Sequence, residues 1–209
     1  MKDNWVNKLM PRYMKDKLRT RLSSAPFCSE EHWCRVVMNR ETLKLVADLD
    51  TATLDALEIS GSRWSLWPFQ SYRSVSYPEF DICNPHPEIA VDMVIAEQVF
   101  EHLLRPYQAA RSTHDFLRPA GYLLITTPFL IKVHDAPVDC SRWTETGLKY
   151  FLAECGFPLE KIRTGSWGNR KCIVSNFNRW PCYKQWMHSL DNEPDFPMVV
   201  WALAQKQTS

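Results

Sequence analysis

The apolar positions change period along the chain, and those changes mark out the elements. Trp33, Val36, Val37, Leu43, Val46 and Ala47 recur at helical spacing up to about Leu49. Ser29 with Glu30 and Glu31 behind it predicts the start of that helix, a capping side chain followed by acids in the first turn. Residues 54–59 form a short apolar strand with Glu58 near its end, 72–77 alternate loosely as a second strand, and 91–96 are a compact third strand interrupted by Asp92. Arg105-Pro106 suits the first turn of a helix reaching Leu117, with Tyr107, Ala110 and Leu117 on one face. A turn at Pro119-Ala120-Gly121 then leads into a strand over 122–127, and 144–154 is helical up to Gly156, which stands where a left-handed cap belongs. Residues 161–164 and 198–204 are the last strand candidates. Strands alternating with helices predict an α/β fold with a largely parallel sheet.

Composition narrows the class. The 209 residues are 45% hydrophobic and 23% charged, with a net charge of +1, enough apolar content for one buried core and too balanced for a dedicated nucleic-acid binder. No apolar run approaches the roughly 20 residues of a membrane span. Seven basic residues within 1–22, against Asp3 and Asp16, set off 1–28 as a basic N-terminal extension from a domain over 29–209. The seven cysteines form no CxxC pair and read as reduced thiols of a cytoplasmic protein. Cys28, His32 and Cys34 offer three metal ligands, but no second pair completes a structural zinc set, so no metal is expected.

Open α/β sheets bind ligands at the carboxyl ends of their strands. Glu58, Glu79, Asp81 and Glu97 fall at or just beyond such ends, where a carboxylate can accept from ribose hydroxyls or an amino group; each can equally be a solvated loop acid. The surrounding pattern resembles a known family. Leu54-Asp55-Ala56-Leu57-Glu58-Ile59-Ser60-Gly61-Ser62 is similar to the first motif of class I S-adenosylmethionine (SAM)-dependent methyltransferases. The run from Asp92 to Leu103, ending Glu101-His102-Leu103, resembles the fourth-strand motif of their type 11 branch, and the run from Phe116 to Leu124 resembles that branch's approach to the fifth strand. Thr127-Pro128-Phe129, Thr144-Glu145-Thr146-Gly147-Leu148 and Glu154-Cys155-Gly156-Phe157 continue in register. The resemblance implies a Rossmann-like sheet of seven strands, mostly parallel with an antiparallel last strand, and SAM as cofactor. The chain departs from the family where Ser60 and Ser62 occupy the two glycine places of the first motif, and Pro68 limits the usual helix behind it.

Carried over, the resemblance implies Glu58, Ser60 and Gly61 beside the methionine part of SAM, Glu79 at the ribose, Asp81 and Ile82 flanking the adenine, and Glu97 and Gln98 at the end of the strand beside the cofactor. Gln98 and His102 have a second reading as caps of the next helix. Methyl transfer from a sulfonium asks mainly for positioning, and an acceptor hydroxyl gains about 10² to 10⁴-fold from a general base. His134 with Asp135 is the candidate base pair, the alternative being that His134 anchors its own loop through Asp135 or Asp139. Trp64, Trp67, Trp143 and Trp167 either line a pocket or belong to the core. The expected function is methyl transfer to a small, hydroxylated molecule such as a saccharide. A methyltransferase-like binding or scaffold protein without catalysis is the second reading, marked by the two serines. A nucleic-acid methyltransferase is disfavoured because no motif of the Asn-Pro-Pro-Tyr kind is present.

Overall fold

Parity along the strands decides which side chains are buried together. In the computed structural model, which describes residues 31–134 and 137–208, β1 (Asp55–Ile59), β2 (Ser71–Val75), β3 (Val91–Glu97), β4 (Leu117–Pro128), β5 (Ile162–Trp167) and β6 (Val199–Gln205) form one sheet in the order β2-β1-β3-β4-β6-β5. Strands β1, β2, β3 and β4 pair in parallel, while β6 is antiparallel to both β4 and β5. Among the described residues four α-helices cover it: α1 (Trp33–Ala47), α2 (Pro106–Phe116), α3 (Glu145–Glu154) and α4 (Arg170–Asn178). Leu57, Ile59, Val94, Ala96, Leu123 and Ile125 point to one face and pack under α2 and α3 with Ala109, Ala110, Leu148 and Leu152. Ala56, Met93, Ile95, Leu124 and Leu203 point to the other and meet Val46 of α1. Trp33, Val37 and Met38 of α1 extend that second layer against Cys172 and Ile173 of α4.

The sheet has six strands among the described residues, not the seven expected. The stretch after β2 carries Pro78, Pro85 and Pro87, each lacking the N–H a ladder needs, and it runs as turns. Helix α1 starts at Trp33 with His32 as an N-cap whose side chain makes no capping bond; the proposed cap at Ser29 lies outside the described residues, as do 1–28 and Cys28. The Pro119-Ala120-Gly121 turn is a bulge inside β4, which already pairs at Leu117 with Val91 before resuming at Tyr122 with Met93. Gly156 ends α3 in the positive-φ conformation its position called for (φ 107°). Helix α4 was not anticipated. Trp64 and Trp167 are core residues, and Trp143 packs at a tilt of 38° on Phe151 of α3.

Candidate functional site

Three parallel strands end side by side, and a cavity of about 560 Å³ opens beyond them, within the size range of small-molecule sites. Its apolar floor is Ile59, Phe80, Ile82, Val99 and Leu103, and Ser60, Tyr77, Asp81, Gln98, His102 and Arg105 bring polar groups to its wall. Ser60 follows β1 and Gln98 follows β3, and both hold the left-handed backbone (φ 56° and 57°) that non-glycine residues rarely adopt. Strain at two adjacent strand ends facing one cavity is a feature of binding sites. The Gln98 amide donates to the Thr126 hydroxyl (3.1 Å) and the Asp81 carboxylate accepts from the Cys83 N–H (2.9 Å). Gln98 is therefore not a helix cap. Nor is His102, whose Nδ1 faces the Val138 carbonyl at 2.5 Å.

The acids Glu58 and Glu97 stand elsewhere than expected. Both share the parity of Met93 and Ile95 and so turn to the α1 face. Glu58 is 2% exposed, and its carboxylate accepts from the backbone N–H of Arg63 (3.0 Å) and Trp64 (3.1 Å) and from the Tyr72 hydroxyl (2.6 Å). Burial and that carboxylate push the Tyr72 phenol above its ordinary range. The chain after β1 thus returns on Glu58 as a tight loop without a helix, and a Cβ at Gly61 would overlap the Glu58 carboxylate. Ser74 donates its hydroxyl to the Gly61 carbonyl, fastening the loop to β2. Glu97 is paired with Arg63 (2.5 Å), which also donates to the Asn39 carbonyl of α1 (3.2 Å), and burial raises the Glu97 pKa. Glu79 is exposed and does not line the cavity.

On the far side of the cavity the loop after β4 folds back. The backbone N–H of His134 donates to Asp139 (2.9 Å), which is ion-paired with Arg142, and burial lowers the His134 pKa. Asp139 is thus the acid that anchors this loop; Asp135 lies outside the described residues. The His134 ring meets His102 edge-on with centroids 5.0 Å apart. Between them and the core lies Glu101, a residue the sequence reading passed over: it is fully buried, both its oxygens lack partners, and burial pushes its carboxyl up to about 7. The Glu-His adjacency directly after a strand was the signal available for it.

Similarity to known proteins bears on the fold and on part of the sequence. Residues 34–125 match a family model described as a methyltransferase domain. A SAM-dependent methyltransferase from Archaeoglobus fulgidus superposes with a TM-score of 0.54 at 15% identity, covering 81% of this chain and 93% of its own. One from Mesorhizobium loti gives 0.51 at 14%, covering 79% and 97%. Phosphoethanolamine N-methyltransferase 2 of Haemonchus contortus, solved with phosphomonomethylethanolamine and S-adenosylhomocysteine, gives 0.53 at 13%, covering 82% of this chain and 53% of that one. No curated protein matches the sequence. The stretch 34–125, a little under half of the chain, is similar to a methyltransferase domain, and the chain has the Rossmann-like class I methyltransferase fold.

Proposed function

We propose that the protein is a SAM-dependent methyltransferase acting on a small, hydroxylated molecule. The observation that carries this reading is the cavity at the carboxyl ends of β1, β2 and β3, in a chain whose 34–125 segment matches a methyltransferase domain. Its wall suits the cofactor. Phe80, Ile59 and Ile82 offer an apolar cleft for a flat base, Asp81 is an acceptor for an exocyclic amine, and Ser60 and Gln98 are polar groups at the opposite end. Among the residues first expected at the cofactor, Ser60, Asp81, Ile82 and Gln98 line the cavity, whereas Glu58, Gly61 and Glu97 do not, and Glu58 and Glu97 hold the loop after β1 through Arg63. With Glu79 exposed, Tyr77 is the polar side chain from the end of β2 that remains at the ribose position.

SAM supplies an electrophilic methyl group on a sulfonium. The protein's own task is to hold an acceptor oxygen in line with it and to lower the cost of removing that oxygen's proton. The cluster of Glu101, His102 and His134 performs that second task from the acceptor side, with His102 on the cavity wall and His134 behind it. No helix of the described residues is long and apolar enough to cross a membrane, and the protein is proposed to work in the cytoplasm as a reduced-thiol protein. The second reading, binding without catalysis, is favoured by the helix-free loop after β1 and by Arg63 closing it onto Glu97. Calorimetric titration of the full chain with SAM and S-adenosylhomocysteine tests the proposal. Saturable binding to both, followed by methyl transfer to members of a polyol and saccharide panel, supports it. No heat at millimolar cofactor overturns it, and binding without turnover on any acceptor supports the second reading.

A further inference from the structure

Glu101 poses a problem that the fold leaves unsolved. It sits in the short 3-10 helix Phe100–His102 after β3, with 0% exposure and no hydrogen bond to either carboxylate oxygen. A carboxylate buried without partners costs several kcal/mol. Its position is imposed by its backbone, whose carbonyl accepts from the N–H groups of Cys140 (2.8 Å) and Ser141 (3.2 Å). Arg142, the guanidinium on the same loop, is committed to Asp139 and to the Ser141 carbonyl (2.8 Å).

The adjacent ring, His102, also turns an acceptor toward it. A carbonyl oxygen cannot donate, so the 2.5 Å contact of His102 Nδ1 with Val138 places the ring proton on Nδ1. In the neutral ring Nε2 is then a bare lone pair, and it stands 3.7 Å from Glu101 Oε1. The His134 ring closes the third side, and one ligating atom from each of Glu101, His102 and His134 lies within 4.8 Å of the others. A carboxylate and two imidazoles converge, and among the described residues no hydrogen bond reaches the carboxylate. That arrangement calls for a cation.

We propose that Glu101, His102 and His134 bind one divalent first-row transition ion of the zinc class. Zinc–nitrogen and zinc–oxygen bonds of roughly 2.0–2.2 Å put tetrahedral ligands about 3.4 Å apart, so the three atoms need to draw in by about an ångström. Two imidazoles and one carboxylate suit zinc, iron or cobalt, whereas magnesium and calcium prefer all-oxygen sets. The Nδ1–H bond of His102 to a backbone carbonyl is the outer contact that orients a ligating imidazole. Three protein ligands leave a fourth position open. His102 and Val138 both line the cavity, so that position faces the place of the acceptor, where an ion polarises a bound oxygen. This catalytic consequence rests on the methyltransferase reading; ion binding does not.

The full chain, stripped with a chelator, is titrated with Zn²⁺ by calorimetry and with Co²⁺ by its visible absorption. One ion per chain with a Kd on the order of 1 μM or tighter is expected, weakened at least about tenfold in His134→Ala and in the size-conserving Glu101→Gln. His134 lies on a surface loop, so His134→Ala decides the matter even if Glu101→Gln folds poorly. Cys28→Ser is expected to bind as the parent does. Absence of binding at about 100 μM ion, affinity unchanged in His134→Ala, or a thiolate-to-cobalt charge-transfer band lost in Cys28→Ser would each overturn the proposal. SAM binding measured on the same samples keeps its failure separate from failure of the methyltransferase reading.

Discussion

Glu58→Ala should unfold the protein more than it weakens the cofactor. The carboxylate is 2% exposed and accepts three hydrogen bonds, two of them from backbone N–H groups of the loop after β1. Truncation leaves the Trp64 N–H buried and the Arg63 N–H half-buried without an acceptor, beside Trp64 at 1% exposure, and removes the partner of the Tyr72 hydroxyl. Hydrogen bonds to a charged group are each about 1.5–3 kcal/mol, and removing a buried charged partner typically costs about 3–5 kcal/mol in all. We expect about 4 kcal/mol, which for a chain of this size lowers Tm by roughly 8–16 °C. Glu58→Gln keeps the volume and one acceptor and should cost about 1–2 kcal/mol. Gly61→Ala pushes a methyl group into the same carboxylate, an overpacking cost of about 1–3 kcal/mol that should shrink in the Glu58→Ala background because the clash is gone. Thermal and urea unfolding measure all four variants, and SAM titration of the folded ones measures affinity. A Glu58→Ala protein with Tm within about 3 °C of the parent and a weakened SAM affinity would refute the reasoning and turn the carboxylate toward the ligand.

Asp81→Ala should weaken SAM binding about tenfold, the loss of a hydrogen bond near 1.4 kcal/mol, with Tm nearly unchanged; equal affinity in calorimetry moves the adenine elsewhere. His134→Ala should lower kcat by about 10² on a hydroxyl acceptor while leaving SAM affinity in place, and turnover within about threefold of the parent would remove His134 from the chemistry. At the opposite edge of the sheet, Arg118 bridges Asp55 (2.8 Å) and Asp92 (2.6 Å), and bonds from Ser71 and then Arg118 hold the Asp55 carboxyl below its usual range. A depressed folded pKa gives stability that is present above the ordinary carboxylate range and lost as pH falls through the folded value. Arg118→Ala should therefore cost about 1 kcal/mol at neutral pH, the site being partly exposed, and the gap to the parent should close toward pH 2 in urea titrations; a gap that persists there argues against the ion pairs.

Much of the architecture was legible because strand burial leaves a local record. The apolar runs at 54–59, 91–96 and 198–204 appear as β1, β3 and β6 within a residue at each end. What was lost depended on distance along the chain. Glu58 stands at a strand end, as read, but its direction follows from parity and from the return of Arg63 and Trp64, which no periodicity announces. Glu101 and His134 are brought together across β4 by the clamp of Cys140 and Ser141 on the Glu101 carbonyl, a contact invisible locally. Helix α4 escaped because its Asn- and Val-containing run has low helical preference, although Asn169 accepting from the Cys172 N–H (2.8 Å) is an ordinary cap three residues before its partner.

The place of β6 has a consequence for how the molecule comes into being. It is the last strand in chain order among the described residues, yet it lies between β4 and β5. Its Gln205 pairs with Tyr122, 83 residues earlier. While the ribosome still holds residues 199–205, β1, β2, β3 and β4 are already free to assemble, but β4 presents a long open edge and β5 has no neighbour. Such an edge invites pairing with other nascent chains. The cavity walls from β1 and β3 are thus free to form before the sheet that supports them is closed, and that closure requires β6 to enter between β4 and β5.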